Sequence, residues 1–489
     1  MKIKRAIALL LLAGLLVGCG ATGTETKDTT NSDTETTVGD TTIEEELSGK
    51  WDKPDIAAKD CGGRDLNILY ASGTSYRAHE LYFFSDGENG DTLNDAVYKR
   101  NLTVEDKLNI KIKGITLGDI TTIYPAIQKS VMAGSPDYDL SLTHTYEGIS
   151  WMIGEQLLYN WNAIESVNMS KNYWNQNMNE TLAVNGVLPV VKSEYMPPEV
   201  FVILFNKKLQ DDYQLDDYYQ VVKDGKWTLD YFVNEVGKVS DDLNGDGQYD
   251  INDRYGLAAM LDADFQAFFN GCNFYAVSKD DEGKLVINQP TEKFVDMYSK
   301  LYSLVYDGHS TYTYRFSQLG TDKEMKFENG QALFYIGNSN DIDLLRSMDA
   351  DFGILPFPKY DEQQENYRTL SMSGFIAMPA SAGDKEFSGL ATEYLSYYSA
   401  EMFMPVFYDT LLGTKYVRDN ESSEMLDIIF ENIVFDPAMV YGAYNEISYS
   451  AMNLLVNKNK DVMSYFKART NSNQKVYDKV YESFMDYNS

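Results

Sequence analysis

The sequence predicts an α/β protein of two lobes, each assembled from discontinuous stretches of chain. Three observations carry that expectation. From Arg64 onward, short apolar runs alternate with amphipathic stretches of helical period, the pattern of a mainly parallel sheet covered on both faces. Two later runs, GVLPVVKSEYMPPEVFVILFNKKL (186–209) and ADFGILPFPKYD (350–361), are extended, apolar and interrupted by prolines, as chain crossing between two bodies would be. No repeat of fixed period links the segments, so the lobes are not copies of one unit.

The first residues stand apart from this pattern. Lys2, Lys4 and Arg5 precede an uncharged run from Ala6 to Gly18, too short to span a bilayer and arranged as a signal peptide over 1–18. The run ends in Leu16-Val17-Gly18-Cys19, which resembles the lipobox of bacterial lipoproteins and makes Cys19 the expected lipidation site. Anchoring through two acyl chains is stable where one is marginal. Residues 19–62 then form a tether: 20–49 are Thr, Ser, Gly, Asp and Glu with almost no apolar content, unable to offset the entropy of ordering. Thirty such residues reach about 30 Å.

Cleavage removes three of the 42 basic residues and leaves 39 against 74 acidic ones, a net charge of −35. That charge argues against nucleic acid or an anionic lipid surface as a partner, leaving the membrane to be met through the N-terminal lipid alone. At 44% hydrophobic and 24% charged, with 37 tyrosines, the rest has the composition of a folded globular body. Cys61 and Cys272 could pair in an exported chain or be two buried thiols, and the spacing does not decide between them.

Element by element, RDLNILY is a strand and TLNDAVYKRNLTVEDKL a helix with Leu93, Val97, Val104 and Leu108 on one face. NIKIKGITL is a second strand, TIYPAIQKSVMAG a second helix and YDLSLTH a third strand. Ligands of such sheets sit at the carboxyl ends of the strands, here the loops ASGTSY and THTYEG. The most specific local signal is DLNGDGQYDIND, 242–253. Asp242, Asn244, Asp246, Gln248 by its carbonyl, Asp250 and Asp253 fall at positions 1, 3, 5, 7, 9 and 12 of a calcium loop, with Gly247 at the turn. Asp253 departs from the usual Glu. A loop that saturates its ion with protein oxygens leaves no open position for a substrate, so the expectation is structural calcium, against a metal-free acidic turn.

The order of NGVLPVVKSEYMPPEVFVILFNKKL, KWTLDYFVNEVGKVSDD, FENGQALFYIGNSNDIDLL and DFGILPFPKYDEQQENYRTLSMSGFIAMPASAGDKEFSGLATEYLSYYS resembles the family 1 extracellular solute-binding proteins of bacterial carbohydrate ABC importers. The resemblance runs from about Arg64 to the C-terminus. It implies a two-lobe, periplasmic-binding-protein-like (type II) fold with a hinge: 63–193 plus 371–405 as lobe 1, and 194–360 plus 406–489 as lobe 2. It further implies a monomeric, non-enzymatic receptor that captures a carbohydrate, an oligosaccharide, in the interlobe cleft and delivers it to ABC permease subunits. Phe205-Asn206-Lys207-Lys208 matches the start of the second lobe. Gly330-Gln331-Ala332-Leu333-Phe334 matches a strand leading to a cleft loop, where relatives often carry a tryptophan and this chain offers Asn338 and Ser339. Ser373 lies in the small-residue segment Ser371-Met372-Ser373-Gly374. The FENIVFDPAMVYGAYN stretch is similar to a clostridial-type subgroup whose helical tail packs on lobe 2 and reaches the cleft mouth.

Sugars need flat aromatic faces and planar polar groups. Trp151 and Trp174 follow the third strand's carboxyl end and are candidates for stacking, with packing the competing role. His144 could donate to a hydroxyl there. Phe265, Asn270, Tyr441 and Tyr444 complete the candidate set. The three histidines, His79, His144 and His309, form no HExxH, and no GxSxG, Walker or Rossmann pattern is present. An exported carbohydrate-cleaving enzyme and a wall-associated adhesion lipoprotein are the competing readings, because no sequence pattern tells a catalytic carboxylate pair from 74 acidic residues.

Overall fold

The computed structural model describes residues 49–72, 81–145, 148–261, 263–314, 326–339, 342, 345, 348–371, 374–412, 420–442 and 445–487. Cys19, Ser373 and Tyr444 lie outside the described residues. Two five-stranded mixed sheets organise the chain. The first is ordered β2 (Ile110–Thr116), β1 (Arg64–Tyr70), β3 (Leu140–His144), β13 (Gly374–Ala377), β4 (Val190–Val191). The second is ordered β11 (Phe352–Leu355), β5 (Phe201–Asn206), β10 (Ala332–Asn338), β6 (Tyr255–Met260), β9 (Thr311–Tyr314). β7 (Val277–Lys279) and β8 (Leu285–Ile287) make an antiparallel hairpin, and β12 (Thr369–Leu370) pairs in parallel with β14 (Ile433–Val434).

The first sheet follows the expected pattern for three strands and then departs from it. β1, β2 and β3 are parallel, joined by helical crossovers, whereas β13 enters antiparallel between β3 and β4. It can do so because it reaches the sheet from the other lobe through an extended connection, not over the sheet face on a helix. The crossover Thr92–Leu108 starts where Asp91 accepts the Asn94 N–H and stops at Asn109, which adopts φ 45°. It buries Val97, Val104 and Leu108 as its period predicts. Arg100 is buried there too. Its guanidinium donates to Asn101 Oδ1, Phe83 O and Ser399 Oγ and lies 4.9 Å from the Tyr195 ring centroid. Burial pulls it down to about 10, so it stays charged at neutral pH.

The second lobe has an aromatic core. Trp227, with its indole N–H on Pro356 O at 2.9 Å, meets Tyr218, Phe232 and Phe334, and Phe232 continues to Phe268. Gly256 lets this layer close on β6: a Cβ there would lie 1.9 Å from the Val236 carbonyl oxygen. Cys61 and Cys272 are both free thiols. Among the described residues no helix is long and apolar enough to cross a membrane. The C-terminal helix Val462–Asp486 packs on β8 of the second lobe and also on the helix Ile149–Gly154 of the first. It therefore touches both lobes.

Candidate functional site

Three connections pass between the sheets, and they run against one another. Val200, at the end of the first crossing, is bridged to Ser371 of the second, and Ser371 N–H donates to Val434 O of the third. Ser339, at the end of β10, is fastened beneath: its N–H reaches Val200 O at 2.9 Å and its hydroxyl reaches Pro198 O at 3.3 Å. Ser371 Oγ donates to Glu199 O at 3.0 Å. Small hydroxyl residues suit this waist because they satisfy backbone groups of the crossing segments beyond the short β12–β14 pairing. β3 ends at His144 opposite Gly374, and β10 ends at Asn338 opposite Phe201, so the carboxyl ends of both sheets are directed to the waist.

The expected site residues that are described separate into two groups. Asn338, Ser339 and His144 stand at these strand ends. Trp151 also belongs to this neighbourhood: it is 48% exposed on the short helix after β3, with its ring 5.8 Å from Tyr124. Gly148 makes room for that ring, since a Cβ there would lie 2.5 Å from it. The other four are committed elsewhere. Trp174 is 2% exposed, donates its indole N–H to Glu393 at 2.9 Å and lies 6.3 Å from Trp161. Phe265 packs on Phe268 in the second lobe's core. Asn270 donates to Phe274 O and to Asp436 Oδ2, and Tyr441 donates to Leu182 O at 2.5 Å. Each of these groups has its apolar face or its donor occupied within the protein, so their structural place is packing and bracing.

Sequence reading passed over charges buried at the crossings. Lys192 is 3% exposed with its ammonium 3.4 Å from Gly374 O; burial pulls it down to about 8, against the pull of Glu199 and Glu194. Glu194 is pushed up to about 7 by the same desolvation. Asp436 caps the helix Pro437–Tyr441 between the lobes by accepting the Ala438 N–H, and burial raises it to about 6. The signal was present in KSE, three polar residues between the apolar VV and the prolines of a run that is otherwise buried.

The loop 242–253 is folded on its own side chains. Gly247 turns at φ 77° and Asp242 accepts the N–H groups of Gly245 and Gly247, both at 2.7 Å. Asn244 and Asp246 accept those of Asp246 and Gln248. Asp250 accepts the Asn252 N–H, and the fully buried Asp253 accepts those of Leu243 and Asp250. The carboxylates are thus turned onto the loop's own amides, and among the described residues no three His, Cys, Asp or Glu side chains converge on a metal position. Arg254–Asp241 closes the base of the loop, away from the waist.

Neither a protein-family model nor a curated protein sequence matches the chain. Solved structures do. The galacto-N-biose-/lacto-N-biose I-binding protein of the ABC transporter from Bifidobacterium longum, in complex with lacto-N-biose, is 13% identical with a TM-score of 0.58, over 87% of this chain and 98% of its own. The ABC substrate-binding protein Lmo0181 from Listeria monocytogenes, in complex with cycloalternan, is 13% identical with a TM-score of 0.56, over 84% and 98%. An ABC transporter solute-binding protein from Thermotoga lettingae bound with alpha-D-tagatose is 12% identical with a TM-score of 0.54, over 85% and 100%. At these identities the likeness is one of fold, the type II arrangement of two mixed sheets, and the proteins that share it here are binding proteins.

Proposed function

We propose that the chain is an extracytoplasmic solute-binding receptor that takes a carbohydrate, an oligosaccharide, into the cleft at the waist and hands it to an ABC permease. The observation that carries this is the waist itself. Three connections lie side by side between two sheets whose carboxyl ends face them, with one half-exposed tryptophan beside β3 and amide and hydroxyl side chains at the end of β10. A ligand touching both sheets binds best when they close on it, so occupancy shifts the lobes toward closure by differential affinity. Trp151 supplies the apolar face, and Asn338, with Ser373 and His144, the polar contacts; the sugar-bound state of structural neighbours supports the ligand class. The N-terminal pattern supports a lipid on Cys19 as the tie to the membrane.

The test is a thermal-shift screen of mono- and oligosaccharides, since a ligand that binds only the folded state raises Tm by mass action. The proposal expects saturable binding without product; turnover of an oligosaccharide would replace it with an enzyme. We assign the loop 242–253 a calcium ion as a brace, supported by the oxygen register and the Gly247 turn. At an extracellular affinity on the order of 10⁻⁴–10⁻³ M, millimolar calcium raises Tm by a few degrees and a chelator reverses it, with the saccharide affinity unmoved.

A further inference from the structure

Away from the strand ends at the waist, a cavity of about 450 Å³ opens between the helix Gln176–Leu182 of the first lobe and the β7–β8 hairpin of the second. Its back wall is the β14 connection, Val434 to Pro437. A second cavity of about 490 Å³ continues it, and the two share Asn273 and Arg368. The lobes touch here: Lys279 of β7 donates to Glu180 O and Ala183 O, the free carbonyls at the end of that helix. Ser278 and Asn288 satisfy each other, and Asn288 also donates to Tyr275 O.

Against that bonded background two donors stand open. Among the described residues neither the half-buried Arg368 guanidinium nor the Tyr275 hydroxyl has a hydrogen-bond or ion-pair partner, although they are near enough for the guanidinium to favour the phenolate. Arginine is always charged and presents five donors in a planar fork, so an unpaired one at the junction of two cavities is unusual in a chain with 74 acidic residues. Lys293, across the second cavity, is already paired with Asp361 at 3.6 Å, and Glu365 lies on that side. Glu180 lines the site from the first lobe; among the described residues its carboxylate makes no hydrogen bond or ion pair, and it acts on the Lys279 ammonium only through its charge.

We propose that this groove is a second ligand site, for a small oxyanion whose phosphate or carboxylate group is held by Arg368 and Tyr275. The groove runs along the third connection of the waist, away from the ends of β3 and β10, and does not depend on the saccharide reading, which can fail without touching it. The net charge of the chain opposes an anion at long range, yet at physiological ionic strength charges beyond about 8 Å are largely screened. Arg368 and Lys279 then set the sign locally, against Glu180 on the lining and the buried Asp436 beside Tyr275.

The experiment is isothermal titration of the full chain with inorganic phosphate and, separately, with citrate, at constant ionic strength against chloride. Saturable binding of either is expected, and which one binds tells phosphate from carboxylate. Arg368→Ala weakens it by about tenfold or more, the scale of a lost charge-assisted hydrogen bond. Tyr275→Phe weakens it a fewfold, and Glu180→Gln strengthens it by removing the like charge. Glu180 and Tyr275 are not in the interior, so these two variants decide the matter even if the arginine variant does not fold. No saturable binding of either anion, or equal binding by wild type and all three variants, overturns the site.

Discussion

Around β5 and β10 the second lobe is packed ring on ring, with Phe205, Tyr218, Trp227 and Phe334 within 6 Å of one another in a chain of contacts. At the ends of those same strands, the waist is held by single hydroxyls and amides: Ser339 on Pro198 and Val200, Ser371 on Glu199 and Val434. The first kind of contact is large, apolar and indifferent to small rotations. The second is small in energy and strict in geometry, so the proposed closure would exchange it at little cost. The receptor proposed above would need this division: bodies that do not deform and a joint that does.

The division can be broken deliberately. Trp227→Ala should cost about 3–5 kcal/mol of stability, read from denaturant unfolding, because it opens a cavity among rings and strands the Pro356 carbonyl. Trp174→Ala should cost about 3 kcal/mol or more by the same measurement, with Glu393 losing its indole donor. Asp436 tests the joint through pH. Its folded-state pKa, about 6, lies above the ordinary carboxylate value, so the folded state binds more protons between about pH 4 and 6. Its contribution to stability is complete below about pH 4 and is lost as pH rises through 6. Asp436→Asn keeps a capping oxygen, removes that slope, and should gain up to about 3 kcal/mol relative to wild type above pH 6. A parallel stability-pH curve for the variant would contradict it.

Smaller effects sharpen the comparison. Trp151→Ala should weaken saccharide binding about tenfold while moving stability by less than about 1 kcal/mol, since the ring is half exposed. Unchanged affinity would remove Trp151 from the cleft. Ser339→Ala should cost about 1 kcal/mol and shift ligand affinity as well, because it loosens the joint and leaves a buried carbonyl short of its donor.

What the sequence conveys follows from how local each cause is. The first strand and the helix Thr92–Leu108 were legible to the residue, because alternation, a capping Asp91 and a stop at Asn109 are all written within a few positions. The antiparallel insertion of β13 was not legible, since its neighbours β3 and β4 are remote in the chain. The same distance separates the two tryptophans proposed for stacking. Both follow β3, but Trp174 is claimed by Glu393, 219 residues further on, and no local pattern announces that. Asn270 is likewise tied to Asp436 across 166 residues. The spacing of oxygens in the loop 242–253 is legible in the sequence; where its carboxylates turn is not.

The central claim is that the lobes close on a saccharide at the waist. Small-angle scattering of the protein, with and without the saccharide that raises its Tm most, tests this directly. The account predicts a smaller radius of gyration on saturation, with the sugar recovered intact. A radius unchanged at full occupancy, or a sugar returned cleaved, would contradict it.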